Sequence, residues 1–248
     1  MNLAGINAAS PDALRAQLPA RHELKFYINP GDYLILRGLL DKVLRRDVHG
    51  DANNNYFIRS LYFDDAYNAA YLQKLDGVEV RDKYRIRIYK CSDKEIFLER
   101  KRKQGELIQK SSVRITRRLC DQIISGDPTG MERAENELVQ DMYRQMRTRL
   151  MRPVVIVDYV REAYCHPVEN VRITFDKQLR TGLFSRDLFN PDLPTVSPLD
   201  GQEMILEVKY DRFLPQYIRD ILENVPGNRC AISKYVLCRR FEPIEWLQ

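Results

Sequence analysis

The 248 residues are 44% apolar and 10% aromatic, which suits a chain with a sizeable buried core and excludes a disordered one. Forty basic against 35 acidic residues leave a net charge of +5, which permits a polyanionic partner without pointing to nucleic acid. Five scattered cysteines with no C-x-x-C pair indicate neither a zinc site nor a disulfide framework, and the longest aliphatic run, 154–157, is far too short to span a bilayer.

Residues 1–20 have little periodicity and no signal-peptide pattern, so they are read as a flexible leader to one domain, 21–248. The expected location is the cytoplasm. Residues 21–28 alternate as a strand, with Leu24, Phe26 and Ile28 on one face and Arg21, Glu23, Lys25 and Tyr27 on the other. Asn29-Pro30 starts a helix whose expected apolar stripe is Leu36, Leu39, Leu40 and Val43. A strand over 58–63, ended by Asp64-Asp65, and a short helix over 66–74 follow.

Strands over 83–89, 95–103 and 106–116 come next. Lys83, Arg85 and Arg87 align on the first, Glu99, Lys101 and Lys103 on the second, Lys110, Ser112 and Arg114 on the third. The period then changes: Leu138, Met142, Met146 and Leu150 predict a helix over 132–150, closed by Pro153. Strands return at 154–164, with Tyr159 and Arg161 on one face, and at 171–176, with Arg172 and Thr174 on one face. A Pro-rich loop, 190–200, leads to a strand over 204–210, where Glu207 and Lys209 oppose Met204, Leu206, Val208 and Tyr210. Two more helices are expected, one carrying Phe213, Tyr217, Ile221 and Leu222, the other over 233–240.

Strand after strand thus pairs an apolar face with a cationic one. The arrangement that uses both is an α+β fold: a closed antiparallel eight-stranded β-barrel, helices outside, with a charged lumen. Its lumen would hold Arg21, Lys25, Arg85, Arg87, Lys101, Lys103, Lys110, Arg161, Arg172 and Lys209, offset in part by Glu23, Glu99 and Glu207. So many like charges need an anion of high charge density, and a phosphate chain meets that need. Glutamates on the same face could hold a divalent cation against the phosphates. Glu99 is either a second metal ligand or a counterion for Lys101, and Lys103 and Arg114 are placed at a tunnel mouth. His22, His49 and His166 show no ligand spacing, and His22 belongs on the apolar face. An RNA-binding surface is disfavoured because the aromatics are expected on the apolar faces, away from the cations.

The same residues resemble the vacuolar transporter chaperone (VTC) domain, a polyphosphate polymerase of the triphosphate tunnel metalloenzyme, CYTH-like, superfamily. The resemblance rests on Arg21-His22-Glu23-Leu24-Lys25, Ser60-Leu61-Tyr62-Phe63-Asp64, Lys83-Tyr84-Arg85-Ile86-Arg87, Glu99-Arg100-Lys101-Arg102-Lys103, Tyr159-Val160-Arg161, Val171-Arg172-Ile173-Thr174-Phe175-Asp176, Leu206-Glu207-Val208-Lys209 and Ser233-Lys234-Tyr235. It implies transfer of the γ-phosphoryl of ATP to polyphosphate, with ADP released. Phosphates would be bound by Arg85, Arg87, Lys101, Lys110, Arg161, Arg172 and Lys209, with Tyr159 and Lys234 nearby, and Glu207 would carry Mn2+ or Mg2+. Arg85, Arg87, Lys209 and Glu207 are the catalytic candidates.

Hydrolysis of a triphosphate and non-catalytic polyphosphate binding stay open as alternatives. Hydrolytic relatives open with Glu-x-Glu-x-Lys, whereas this chain has Arg21-x-Glu23-x-Lys25, one carboxylate fewer. Eukaryotic polymerases also carry an inositol-phosphate-sensing domain and a membrane region. This chain is expected to lack both, so any coupling to translocation would need a separate membrane-protein partner.

Overall fold

A computed structural model describes residues 21–105, 107–224 and 230–243; the expected leader, 1–20, lies outside them. The strands are β1 (His22–Ile28), β2 (Arg45–Arg46), β3 (Asn55–Asp64), β4 (Val80–Tyr89), β5 (Ser92–Gln104), β6 (Leu107–Ile115), β7 (Arg152–Cys165), β8 (Arg172–Thr181) and β9 (Met204–Tyr210). The helices are α1 (Pro30–Val43), α2 (Ala69–Leu75), α3 (Arg117–Ser125), α4 (Glu137–Arg149), α5 (Gln216–Glu223) and α6 (Lys234–Cys238). None is long and apolar enough to cross a membrane.

Eight strands pair antiparallel in the order β1-β9-β8-β7-β3-β4-β5-β6, and the two-residue β2 adds a ninth on β7. The expected closed eight-stranded barrel is therefore corrected on two points. The described residues form nine strands, and their ladder does not close. Its outer strands, β1 and β6, meet at a single bridge, Arg21–Ile108. Side chains span the rest of that seam: Lys101 of β5 donates to Glu23 of β1 at 2.8 Å.

Local chemistry explains the elements. Asn29 accepts from the Asp32 amide at 2.9 Å and Asp32 accepts from the Asn29 amide at 3.2 Å, a reciprocal cap that starts α1 with Pro30 in its first turn. Helix α1 buries Leu36 and Leu40, and the stripe continues to Leu44, an i,i+4 row; Val43 is exposed instead. Helix α4 starts later than expected because Asn136 accepts from the Leu138 amide and begins a new helix there. Leu150 takes a left-handed φ as its C-cap and is exposed. Pro153 does not sit in a loop after that helix. It lies in β7 opposite Phe63, where the β3–β7 register shifts, a position that needs no amide donor.

Two apolar cores lie outside the curved sheet. One joins Leu61, Phe63, Ile86, Ile88 and Leu98 to α3 and α4. The other joins Ile173, Phe175, Leu206 and Val208 to α1 and α5. A third lies partly on the inner face, where Tyr56, Ile58, Tyr62 and Tyr159 pack towards Ile232 and Tyr235 at the start of α6. Tyrosines therefore share the inner face with the cations: Tyr159 is there beside Arg161, in line with their shared parity, and Tyr56 and Tyr62 join it, contrary to the expectation that the aromatics lie on the apolar faces. The reason is that β3 and β7 offer tyrosines at the inward parity, where the ring meets apolar neighbours and the hydroxyl meets charge.

Candidate functional site

The inner face encloses a cavity of about 700 Å³ lined, among the described residues, by thirteen lysines and arginines and by two carboxylates, Glu23 and Glu207. Strand β4 runs along it and turns Arg81, Lys83, Arg85, Arg87 and Tyr89 inward at successive odd positions. Register shifts in the β7–β8 ladder between Asp158 and Val160, and in the β4–β5 ladder between Arg87 and Tyr89, flank this stretch. Irregularities of that kind re-aim side chains, here Tyr159 among them.

Four carboxylates organise the cations. Glu207 meets Lys234 at 2.7 Å, Lys209 at 2.8 Å, Lys25 at 3.4 Å and Arg161 at 3.6 Å. Glu23 meets Lys101 at 2.8 Å and both Lys25 and Lys209 at 3.5 Å. Glu99 lies beneath the lining and binds Lys110 at 2.5 Å, Arg85 at 2.7 Å and Arg87 at 3.8 Å. Lys101 thus pairs with Glu23 and not with Glu99. The fourth, Asp176, receives two parallel bonds from Arg161, at 2.6 and 2.7 Å, and an ion pair from Lys234 at 2.5 Å. Asp176 was not among the expected site residues, although it shares the inward parity of Arg172 and Thr174.

Burial by itself would raise the Glu207 carboxyl, but Lys209, Lys234, Lys25 and Arg161 outweigh it and hold the group well below the usual carboxylate range. Glu23 and Glu99 are lowered in the same way, burial being overcome by Lys25, Lys101 and Lys209 for the first and by Arg85, Arg87 and Lys110 for the second. All three are fixed anions. Arg85 is further held by the Tyr62 hydroxyl at 2.8 Å. The Nε of Arg87 and the hydroxyls of Ser60 and Thr174 are buried without a hydrogen-bond partner, so the inner face has polar capacity that the protein itself does not use.

Helix α6 delivers Lys234. Ser233 caps it, and Lys234 reaches Glu207 and Asp176 with its ammonium 5.1 Å from the Tyr159 ring centre. The helix is anchored from behind: the Tyr235 hydroxyl donates to Asp64, and Arg239 donates to Asp64 at 3.2 Å, to Tyr235 at 2.6 Å and to Asn68 at 2.9 Å. This is why the Leu61-Tyr62-Phe63-Asp64 and Ser233-Lys234-Tyr235 stretches belong together.

Of the expected site residues, Lys25, Arg85, Arg87, Lys101, Lys103, Lys110, Tyr159, Arg161, Arg172, Glu207, Lys209 and Lys234 line one cavity. Arg21 lies apart from the lining and pairs with Asp211 at 3.0 Å. Arg114 turns to the Lys94 carbonyl at 2.5 Å. His22 sits at the edge of the cavity, stacked on Tyr210 at 5.1 Å. Lys74, Arg81 and Lys83 also line the cavity, although none was a candidate. The parity of Lys83 with Arg85 was already the signal for it, whereas Lys74 comes from a helix and carried none.

A family described as the VTC domain matches residues 20–241. The chain belongs to the VTC domain family. A search of curated proteins finds no match. Among solved structures, a putative adenylate cyclase from Bacillus halodurans is 12% identical, covering 90% of this chain and 99% of that one, with a TM-score of 0.49. A conserved hypothetical protein from Pyrococcus furiosus is 10% identical over 82% of this chain and 86% of that one (TM-score 0.41), and the mimivirus capping enzyme triphosphatase is 11% identical over 84% and 88% (TM-score 0.37). Identities this low transfer no activity.

The cavity of this VTC domain also bears on metal binding. No group of three His, Cys, Asp or Glu among the described residues could hold a metal by itself. The two ionised carboxylates Glu23 and Glu207 do, however, face common cations, the ammonium groups of Lys25 and Lys209 standing between them. That donor set fits a hard divalent ion that completes its shell with phosphate oxygens. Glu99 lies beneath the lining and not on it, and fits a counterion for Lys110, Arg85 and Arg87.

Lys101 is pushed down to about 8, by burial first and by Lys25 and Lys209, with Glu23 and Glu207 opposing. Between that value and its ordinary 10.5 the unfolded chain binds more protons than the folded one, so stability from this group rises with pH across that window. A bound phosphate chain favours the ammonium form instead. Calorimetric titration of tripolyphosphate at about pH 8.5, in buffers of different ionisation heat, should therefore show net proton uptake, and affinity should fall as pH rises through about 8. Binding without proton uptake would remove Lys101 from the phosphate path.

Proposed function

We propose that this VTC tunnel transfers the γ-phosphoryl of ATP to the end of a polyphosphate chain, in a reaction dependent on Mn2+ or Mg2+. The observation that carries the reading is the pairing of the inner carboxylates: Glu207 meets four cations and Glu23 and Glu99 three each, and these cations hold all three carboxyls well below the usual range. Held so low, they are poor bases for activating water. A terminal phosphate oxygen is ionised already at neutral pH and needs no base. That favours phosphate over water as the acceptor, and transfer over hydrolysis.

In this mechanism Arg85, Arg87 and Arg161 grip the oxygens of the transferred group, and Lys209, Lys25 and Lys234 the neighbouring phosphates. Glu99 and Asp176 keep the guanidinium groups of Arg85 and Arg161 oriented. The acceptor oxygen forms its bond to the γ-phosphorus as the bond to the bridging oxygen of ADP breaks, so the chain grows by one phosphate and ADP leaves. Glu207, with Glu23 beside it, would hold the metal, which supplies charge neutralisation across adjacent phosphates.

Incubation with ATP and Mn2+ followed by product analysis tests the reading. Long phosphate chains with equimolar ADP are expected. Free phosphate alone would assign a triphosphatase, and no turnover with any divalent metal would assign a binding module.

A further inference from the structure

Lys234 is carried on a helix of five residues, α6. A helix that short has no stability of its own, so its place against the sheet is set by tertiary contacts. Those contacts converge on one carboxylate. Asp64, 1% exposed at the end of β3, accepts on Oδ2 from the Tyr235 hydroxyl and from Arg239 at 3.2 Å. Arg239 also donates to the Tyr235 hydroxyl at 2.6 Å, so the three groups close a triangle behind α6. Oδ1 turns the other way and accepts from the amides of Asp65 at 2.9 Å and Ala70, in the first turn of α2, at 2.8 Å. Asp64 thus ties α6 both to the strand and to a second helix. Burial and the Asp64 charge keep the Tyr235 phenol well above its ordinary value, so it stays a neutral donor.

Asp64 does not itself line the cavity, but its anchor reaches the cavity by two routes. Tyr235 is the neighbour of Lys234, whose ammonium meets Glu207 at 2.7 Å and Asp176 at 2.5 Å. The Tyr235 ring is stacked on Tyr62 at 5.3 Å, and the Tyr62 hydroxyl accepts from Arg85 at 2.8 Å. An ammonium has three donors. Glu207 and Asp176 take two from Lys234, and the aim of the third depends on where the helix sits.

We propose that Asp64 is a positioning residue for phosphate binding: through Tyr235 and Arg239 it holds Lys234 where the ammonium, already shared by Glu207 and Asp176, also takes a phosphate oxygen. Taking the ligand to be phosphate rests on the function proposed above. Asp64 touches no ligand in this role and acts through Lys234 alone. Its removal therefore weakens binding only while Lys234 is present to be misplaced.

The test is a double-mutant cycle on tripolyphosphate binding, read by calorimetry on the full chain without divalent metal, so that nothing turns over. The parent, D64N, K234A and D64N/K234A are titrated. Asn can keep the Oδ1 contacts with Asp65 and Ala70 and loses those on Oδ2. D64N should bind about tenfold more weakly at unchanged stoichiometry, whereas unfolding would lower the stoichiometry and leave the affinity of the folded fraction alone. On K234A the same change should cost about twofold or less, because the residue it acts through is gone. Y235F drops only a hydroxyl and keeps the ring on Tyr62; it should lose about threefold on the parent and nothing further on K234A, and it carries the cycle if D64N does not fold. Parent-like affinity in D64N and Y235F, or losses that multiply with that of K234A, would overturn the positioning role. A parent that binds no tripolyphosphate would overturn the phosphate ligand and this role with it. Binding with the expected cycle but no polymer synthesis would overturn only the proposed reaction.

Discussion

Replacing Glu207 with Gln is expected to lower polyphosphate synthesis from ATP and Mn2+ by roughly a hundredfold or more, while tripolyphosphate binding is kept or tightened. Four cations converge on this one ionised carboxylate. Gln has nearly the same shape and still accepts hydrogen bonds, so the lysines keep an anchor. It removes one negative charge from a lumen that must attract phosphate, which helps binding. It also removes the ionised donor of the proposed metal site, which harms turnover. Calorimetry and polyphosphate detection on the same preparation separate the two effects. Unchanged synthesis would strike Glu207 from the metal site. Joint loss of binding and synthesis would make it a spacer for the lysines instead.

Arg59→Ala should cost about 3–5 kcal/mol of stability, the range for breaking one side of a buried ion pair. Arg59 is 2% exposed and shares the parity of Leu61 and Phe63, on the opposite face of β3 from the cavity-lining Tyr56, Ile58 and Tyr62. It donates to Asp158 at 2.8 and 2.7 Å, and to the Asn190 carbonyl at 2.5 Å, so it ties the Pro-rich loop to the sheet. Truncation leaves Asp158 buried without its partner and frees that carbonyl. Urea denaturation measures the loss. The double variant Arg59→Met/Asp158→Leu should recover most of it, because an apolar pair leaves no buried charge unmatched. Tripolyphosphate affinity of the folded Arg59→Ala protein should stay near the parent value. A loss well under 1 kcal/mol would show the site to be wetter than its burial indicates.

These two residues also mark where sequence reading works and where it stops. Glu207 was legible because alternation is a local property: in 204–210 the parity that buries Leu206 and Val208 in the outer core must send Glu207 and Lys209 to the other side. The same reasoning placed Arg85, Arg87, Lys101, Lys110, Arg161 and Arg172 on one surface. Arg59 was not legible. A lone arginine inside an apolar strand carries no local signal of its partner: its parity sends it outward with Leu61 and Phe63, and Asp158, 99 positions away, compensates it. The tyrosines misled for a related reason, since a ring suits either face and only its neighbours choose.

The sequence by itself determined the family, the eight longer strands and the sign of charge on their inner faces, because period-two alternation and short motifs depend only on near neighbours. Tertiary structure decided the rest: that the β1–β6 seam is spanned by Lys101 and Glu23 and not by a closed ladder, that Asp176 joins the site, that Asp64 anchors the helix bearing Lys234, and that Lys74 joins the cavity lining. Each of these is a contact between residues far apart in the chain. Side-chain reach and the curvature of the sheet set such contacts, and neither is written in any local pattern.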